Sequence, residues 1–362
     1  MNKCALYIPR PGSEYSMIKD GYVDSLRSLG WTVYVCNPKT KLYCQQLIEQ
    51  YNIELIMTHS KYGIRQLPVD TINKRCVKVF IEALPLNDND LTIDGPYEYA
   101  DESEPEIILS IDGAIVHTKI EKHLWDSYFS GWTVAGIDLY HILAAGNIVS
   151  MVPRNMETLC DMSIVANFKN RQGIMRGLIE PLCRRLELLG YTYQAFGDEI
   201  WEMAGLKYCG PLACKANLLS NVYATSNVCP NVHTEEQVSL ASNLNERSFG
   251  ITLCGGVQIS DNPLATRYLA GHCEVAVSTT DYINRVIARI EKERTNFDQI
   301  KSGVSFVATK HTYFNRLIDL FQICGWFEAA EEVERQTDRI KFSHCSKIDA
   351  MISAMERGVQ YG

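Results

Sequence analysis

The 362-residue chain has no long apolar run, no surplus of basic charge, no C-x-x-C pair and no histidine pair at metal-binding helical spacing. Each absence removes a class of function. The first apolar run, Cys4 to Ile8, ends at Pro9 and Pro11, which is too short for a signal peptide's apolar region or a spanning helix, so a cytoplasmic protein with no membrane span is expected. With 35 Lys and Arg against 43 Asp and Glu, the net charge is −8. A broad basic face of the kind that grips a polynucleotide is therefore not expected, although a local basic patch is compatible with that balance. The 13 cysteines are odd in number and scattered, and some sit in apolar runs, as Cys36 does in Trp31 to Cys36. They read as reduced core thiols. Cys209 and Cys214 lack a second ligand pair at zinc spacing, and His117 and His123 are not at i, i+4, so no metal site is expected.

What is present is a globular composition, 46% apolar, in a chain long enough for two domains of about 150 to 180 residues each. Cys4 to Ile8 reads as a strand and Tyr15 to Leu29 as a helix stopped by Gly30. Strands at Trp31 to Cys36, Glu54 to Thr58 and Val77 to Leu84 then alternate with helices at Lys41 to Tyr51 and Val69 to Asn73. That rhythm predicts a parallel sheet covered on both faces, with ligands beyond the carboxyl ends of its strands, where His59, Ser60 and Lys61 fall. Asn87 to Glu106 interrupts it with an acidic, Pro- and Gly-punctuated segment, either a functional loop or a lid. The rhythm resumes through Ile107 to Ile111, Ala114 to His117 and Trp132 to Tyr140. It weakens between Asn147 and Met162, where Pro153, Arg154 and Asn155 mark the expected connection. A second unit follows: strand Met162 to Ala166, the turn Asn167 to Gln172, a helix with Ile174, Leu178, Leu182, Leu186 and Leu189 on one stripe, and strand Tyr191 to Phe196 closing on Gly197-Asp198. The expected fold class is α/β, with residues 1–150 as a first Rossmann-like domain, 151–320 as a second, and 321–362 as terminal helices. Those helices either pack back on the first domain or form a dimer contact.

The stretch Asn245 to Asp261 carries the strongest chemical signal. It predicts a helix running into Gly255-Gly256 and then a strand, with the glycines letting an anion approach the backbone; a plain helix C-cap is the competing reading. The turn ahead of the long helix brings Lys169, Arg171 and Arg176 to a helix N-terminus, where a phosphate would fit. Gly197-Asp198 at a strand end and the polar Asn231-Val-His-Thr234 segment add groups at the same edge. Together they describe a nucleotide-diphosphate site. Arg316, in Lys310 to Arg316, reads as structural.

The order of Asn167-Phe-Lys-Asn-Arg171, Phe196-Gly-Asp198, Tyr208-Cys-Gly-Pro-Leu212, Asn231-Val-His233, Asn245-Glu-Arg-Ser-Phe249, Leu253-Cys-Gly-Gly-Val257 and His311-Thr-Tyr-Phe-Asn-Arg316 resembles the CgeB-like spore-maturation glycosyltransferases. The resemblance covers roughly residues 160 to 320. It implies a GT-B fold, two Rossmann-like domains with parallel sheets facing across a cleft, the sugar nucleotide held by the second and the acceptor by the first. It also implies a donor, expected to be a UDP-sugar, contacted by Asn167, Lys169, Arg171, Gly197, Asp198, Asn231, His233, Glu246, Arg247, Gly255 and Gly256, with no further cofactor. One position departs from the family pattern: Gly250 stands where a ribose-gripping glutamate is usual.

The expected reaction is attack of an acceptor hydroxyl on the anomeric carbon, with Arg171, Arg247 and the amides at Gly255 and Gly256 stabilising the departing diphosphate without a metal. A base from the first domain is required if the reaction inverts, and Asp88, Asp90, Asp94 and His117 are the candidates. Asp88-Asn89-Asp90 also matches the Asp-x-Asp signature of metal-dependent GT-A enzymes. The acceptor is open: a small molecule, a glycan, a protein or DNA carrying hydroxymethylated bases. A non-catalytic nucleotide-sugar-binding or interaction protein is the alternative, motivated by Gly250.

Overall fold

The computed structural model describes residues 3–9, 17–58, 64–83, 110–116, 130–168, 171–212, 216–239, 243–292 and 296–357. They divide into two compact units: Met1–Leu143 with Asp319–Ala330, and Ala144–Ile318 with Glu331–Gly362.

The first unit is built on β1 (Cys4–Ile8), β2 (Thr32–Val35), β3 (Leu55–Thr58), β4 (Lys78–Ala83), β5 (Gly113–Val116) and β6 (Leu139–His141). All pair in parallel, in the order β2-β1-β3-β4-β5-β6. Every residue of β1, β3 and β5 is buried, as strands covered on both faces must be. Helices α1 (Met17–Ser28), α2 (Lys41–Tyr51), α3 (Val69–Arg75) and α4 (Ser130–Val134) connect them. The side chain of Thr40 starts α2 by accepting from the amide of Tyr43, and Asn52 ends it in the left-handed region at φ 50°. Both are residue types suited to those caps. Leu6, Ile8, Ile56, Val79 and Ile81 meet Leu47 and Ile48 of α2 and Trp132 of α4 in one core. Phe321 stacks on Trp31 with ring centres 5.3 Å apart, and Trp326 lies 6.0 Å from the same ring.

The second unit has β7 (Cys160–Val165), β8 (Tyr193–Phe196), β9 (Ser226–Asn231), β10 (Gln258–Ser260) and β11 (Glu274–Val275), parallel throughout, in the order β11-β10-β9-β7-β8. The chain runs from β7 outward to β8 and then returns to the other side of β7 with β9. The carboxyl ends of β7 and β9 therefore form the switch point at which a ligand crevice opens in such sheets. After β7 comes α5, residues 172–189, in which Gln172–Ile174 and Glu180–Leu189 flank a π-helical turn at Met175–Ile179. Gly190 closes it at φ 79°. Its apolar stripe of Leu178, Leu182 and Leu186 is buried against Met162, Ile164, Tyr193 and Val228. Then follow α6 (Ile200–Met203), α7 (Ala216–Ala224), α8 (Glu235–Ser239), α9 (Glu246–Leu253), α10 (Leu264–Tyr268), α11 (Thr279–Glu291), α12 (Phe297–Lys310), α13 (Tyr313–Ile323) and α14 (Phe327–Glu356). Among the described residues no helix is long and apolar enough to cross a membrane. The described cysteines are all free thiols.

The His311 to Arg316 motif is a structural joint. The guanidinium of Arg316 donates to the carbonyl of Ala144 at 3.1 Å and lies 3.2 Å from His311 Nδ1, while the His311 carbonyl accepts from the amide of Gly146. His311 stacks on Phe249 at 5.0 Å. Burial, and then Arg316 and Lys310, hold its pKa down to about 4.

Candidate active site

At the switch point the sequence places Arg247 one residue into α9. Asn245 starts that helix, its side chain accepting from the amide of Ser248 at 3.1 Å. So anchored, α9 directs the Arg247 guanidinium to two strand ends at once: it donates to the carbonyl of Val165 on β7 and, at 2.7 Å, to that of Val232 just beyond β9. Arg171 sits where α5 begins, its guanidinium 3.5 Å from the carbonyl of Asn167. Both arginines act on His233 electrostatically, each disfavouring its protonation.

His233 itself is wholly enclosed. Its amide donates to the Asp261 carboxylate, its Nδ1 lies 2.7 Å from Asp261 Oδ1, and its Nε2 lies 3.4 Å from Ser248 Oγ. Burial lowers its pKa, against the raising effect of the Asp261 hydrogen bond. The imidazole is therefore neutral, donating from Nδ1 to Asp261. The series Ser248–His233–Asp261 has the order of a hydrolase triad but not its chemistry. Ser248 is fully buried and its hydroxyl is taken up by Asn245 and Asn231 at 3.1 and 2.8 Å, so no substrate carbonyl can reach it. Asn231 also donates to Gln258 at 3.0 Å. This network fixes the chain leaving β9 against α9 and β10, and so fixes the carbonyl of Val232 that Arg247 reaches.

Several expected donor contacts have other work in the structure. Gly255 and Gly256 are a helix C-cap: their amides donate to the carbonyls of Thr252 and Ile251 at 3.0 and 2.9 Å. A Cβ at Gly255 would fall 2.6 Å from Met156, and one at Gly256 would fall 2.9 Å from the carbonyl of Tyr223. Neighbouring protein fills the space at both glycines, which lie at the negative end of the α9 dipole. Gly197 is likewise a packing glycine, since a Cβ there would sit 2.0 Å from the carbonyl of Ala166. Its φ is 150°. That approach lets the indole of Trp201 donate to the same carbonyl at 2.8 Å. Asp198 follows at the edge, half-buried. Asn231 and His233 are buried where the chain leaves β9. Glu246 is half-buried and Asn167 exposed. Lys169 and all four candidate bases, Asp88, Asp90, Asp94 and His117, lie outside the described residues, as does the Asp88-Asn89-Asp90 motif. Among the described residues no group of three or more His, Cys, Asp or Glu side chains is placed to hold a metal ion.

Sequence reasoning passed over Ser248, Asp261 and Met151. Asp261 follows directly on a predicted strand, which was a usable signal. Met151 was not legible: it is fully buried, and a Cβ at Gly250 would lie 2.7 Å from its methyl group. The thioether thus occupies the room beside the position where a glutamate is usual in the family that the sequence resembles. In the first unit, buried Glu82 on β4 accepts from the hydroxyl of Tyr7 on β1, an internal tie between two strands.

Residues 171–322 match the model of a family described as glycosyl transferase-like. The fold is GT-B. Solved structures of similar fold include an alpha-glucosyltransferase in complex with UDP and a 13-mer DNA containing an HMU base, 11% identical, with 89% of this chain and 99% of that chain covered and a TM-score of 0.62. Sucrose-phosphate synthase from Thermosynechococcus elongatus is 12% identical over 91% of this chain and 100% of that one, at a TM-score of 0.57. AviGT4, a glycosyltransferase involved in avilamycin A biosynthesis, is 12% identical over 95% and 99%, at 0.51. No curated protein matches by sequence. At these identities the structural likeness is one of fold. The matched family is glycosyl transferase-like, and the fold is one shared with glycosyltransferases.

Proposed function

We propose that the second unit binds a nucleotide-diphosphate sugar at the crevice between the carboxyl ends of β7 and β9, and that the protein transfers the sugar to an acceptor hydroxyl. The observation that carries this reading is Arg247, held by backbone carbonyls on both sides of the switch point. Those bonds use two of the guanidinium's five donors. A cation fixed in advance beside a leaving diphosphate stabilises the charge that develops as the glycosidic bond breaks, with no reorganisation at that moment. Arg171 adds a second cation, and Lys169 with Asn167 extends the proposed contact. Two arginines can meet a diphosphate bidentately, which supports a metal-independent reaction. Glu246, in the first turn of α9, is the proposed partner of the ribose, since Gly250 has no side chain to offer. Asp88, Asp90, Asp94 and His117 remain the proposed set for deprotonating the acceptor.

The motif order supports a place in the CgeB-like branch and a UDP-sugar as donor. For the acceptor, the likeness in fold to an enzyme solved with HMU-containing DNA supports hydroxymethylated bases as one class, and the net charge of −8 favours a small molecule, glycan or protein. Salt-dependent retention on DNA separates these.

A second reading is a nucleotide-sugar-binding protein without turnover, favoured by Met151 filling the room at Gly250. One experiment tests both: UDP-, GDP-, ADP- and dTDP-sugars, with and without EDTA, followed by thermal shift and nucleotide release. Binding with release supports the transferase. Binding without release, acceptors supplied, supports the second reading. Binding abolished by EDTA overturns metal independence, and no binding at all overturns both.

A further inference from the structure

A cavity of about 490 Å³ opens at the carboxyl edge of the second sheet, between the start of α5 and the start of α11. Its volume is within the range of about 300–1,000 Å³ usual for small-molecule sites. Leu178, Ala276 and the ring of Tyr282 form its buried side, with the Tyr282 hydroxyl turned away to donate to the carbonyl of Ile259 at 2.7 Å. Ile174, Val238 and Val277 contribute further apolar wall.

Two features of α5 shape this wall. Gly173 and Gly177, one helical turn apart, both line the cavity, and a methyl group added to either would meet nothing within 4 Å. Glycine is among the poorest helix formers, so this pair weakens the first turns of α5 and leaves that part of the wall without side chains. The backbone of the same wall is also the π-helical turn Met175–Ile179, a deviation that is rare and recurs at functional sites.

The polar lining narrows the ligand. Among the described residues it consists of the carboxylates of Asp261 and Glu235 and the hydroxyls of Ser278 and Thr279, with no lysine, arginine or histidine. A phosphate or carboxylate would meet two like charges. A wholly apolar ligand would desolvate Glu235 and the part of Asp261 that His233 does not reach. A neutral ring with hydroxyls around its rim and C–H groups on its face satisfies both parts. We propose that this cavity binds a neutral carbohydrate, a pyranose whose hydroxyls donate to Asp261 and Glu235 and whose C–H face lies on Ile174, Leu178 and Val277. The site is distinct from the diphosphate crevice, since neither Arg171 nor Arg247 lines it.

The test titrates the intact protein with glucose, galactose, N-acetylglucosamine and maltose by saturation-transfer NMR and calorimetry, with UDP, cyclohexylamine and cyclohexanecarboxylate as separate probes. Saturable binding of at least one carbohydrate is expected, weakened tenfold or more by Gly177→Leu, which fills open space, and severalfold by Glu235→Gln at the exposed rim. UDP affinity should stay within twofold in both variants, whereas Arg247→Ala should weaken UDP and spare the carbohydrate. Glu235→Gln keeps the question answerable if Gly177→Leu folds poorly. Cyclohexylamine binding in place of every carbohydrate, or carbohydrate binding that neither variant changes, would overturn the proposal. Carbohydrate binding with no UDP binding would leave it standing and remove the nucleotide reading instead.

Discussion

The helix α9 is only eight residues long, and its two ends do opposite jobs. At its start, Asn245 caps the helix and Arg247 joins the ends of two strands, putting fixed positive charge where the helix dipole is also positive. At its finish, Cys254, Gly255 and Gly256 return their amides to carbonyls of the helix itself. A glycine pair can leave room for a ligand or for the protein's own backbone, and here the Tyr223 carbonyl and Met156 have taken that room. The proposed diphosphate contact falls at the end of α9 whose guanidinium keeps donors beyond those the fold uses.

That contrast can be broken experimentally. Arg247→Ala should weaken UDP binding about 100-fold, or about 2.7 kcal/mol, as expected for loss of a charge-assisted contact, with Lys recovering part of it; calorimetry reads both. Affinity within threefold of the unmodified protein would put the ligand elsewhere. Gly255→Ala, through left-handed strain and overpacking, and Gly256→Ala, through overpacking alone, should each lower stability in urea by about 2–3 kcal/mol, leaving UDP affinity unchanged in the folded fraction. Loss of affinity with stability intact would reverse the comparison. A third test reads the flank of α9 through His311, whose pKa of about 4 lies below the value of about 6.5 usual for an unfolded chain. As pH falls, the unfolded chain takes up this proton first. Its contribution is thus fully present above about pH 6.5 and is lost down to about pH 4, costing about 3 kcal/mol; His311→Gln should flatten the stability profile over that window. The smallest effect is expected from Asp261→Asn, about 1 kcal/mol of stability and a severalfold loss of UDP affinity as His233 loses its charged partner, measured by the same melts and titrations.

Much of the fold was readable because parallel strands buried on both faces must be apolar throughout, as in Cys4–Ile8 and Leu55–Thr58. The helices between them carry their own stops, as Gly190 does at the end of α5. Arg171 and Arg247 were legible as cations near strand ends. The roles of Gly197, Gly255 and Gly256 were not, because a glycine's sequence position does not say whose atoms approach it. Nor was the Ser248–His233–Asp261 series, whose members come from three elements and meet only when β9, α9 and β10 pack together.

Local sequence by itself determined which segments became strands and helices and where each begins, since capping side chains, glycine stops and apolar periodicity act within a few residues. Tertiary structure alone decided that Arg247 spans two strand ends, that Met151 occupies the room beside Gly250, and that Gly173 and Gly177 face a cavity. Each of these depends on atoms brought together from distant parts of the chain, and close packing admits only one occupant to any space.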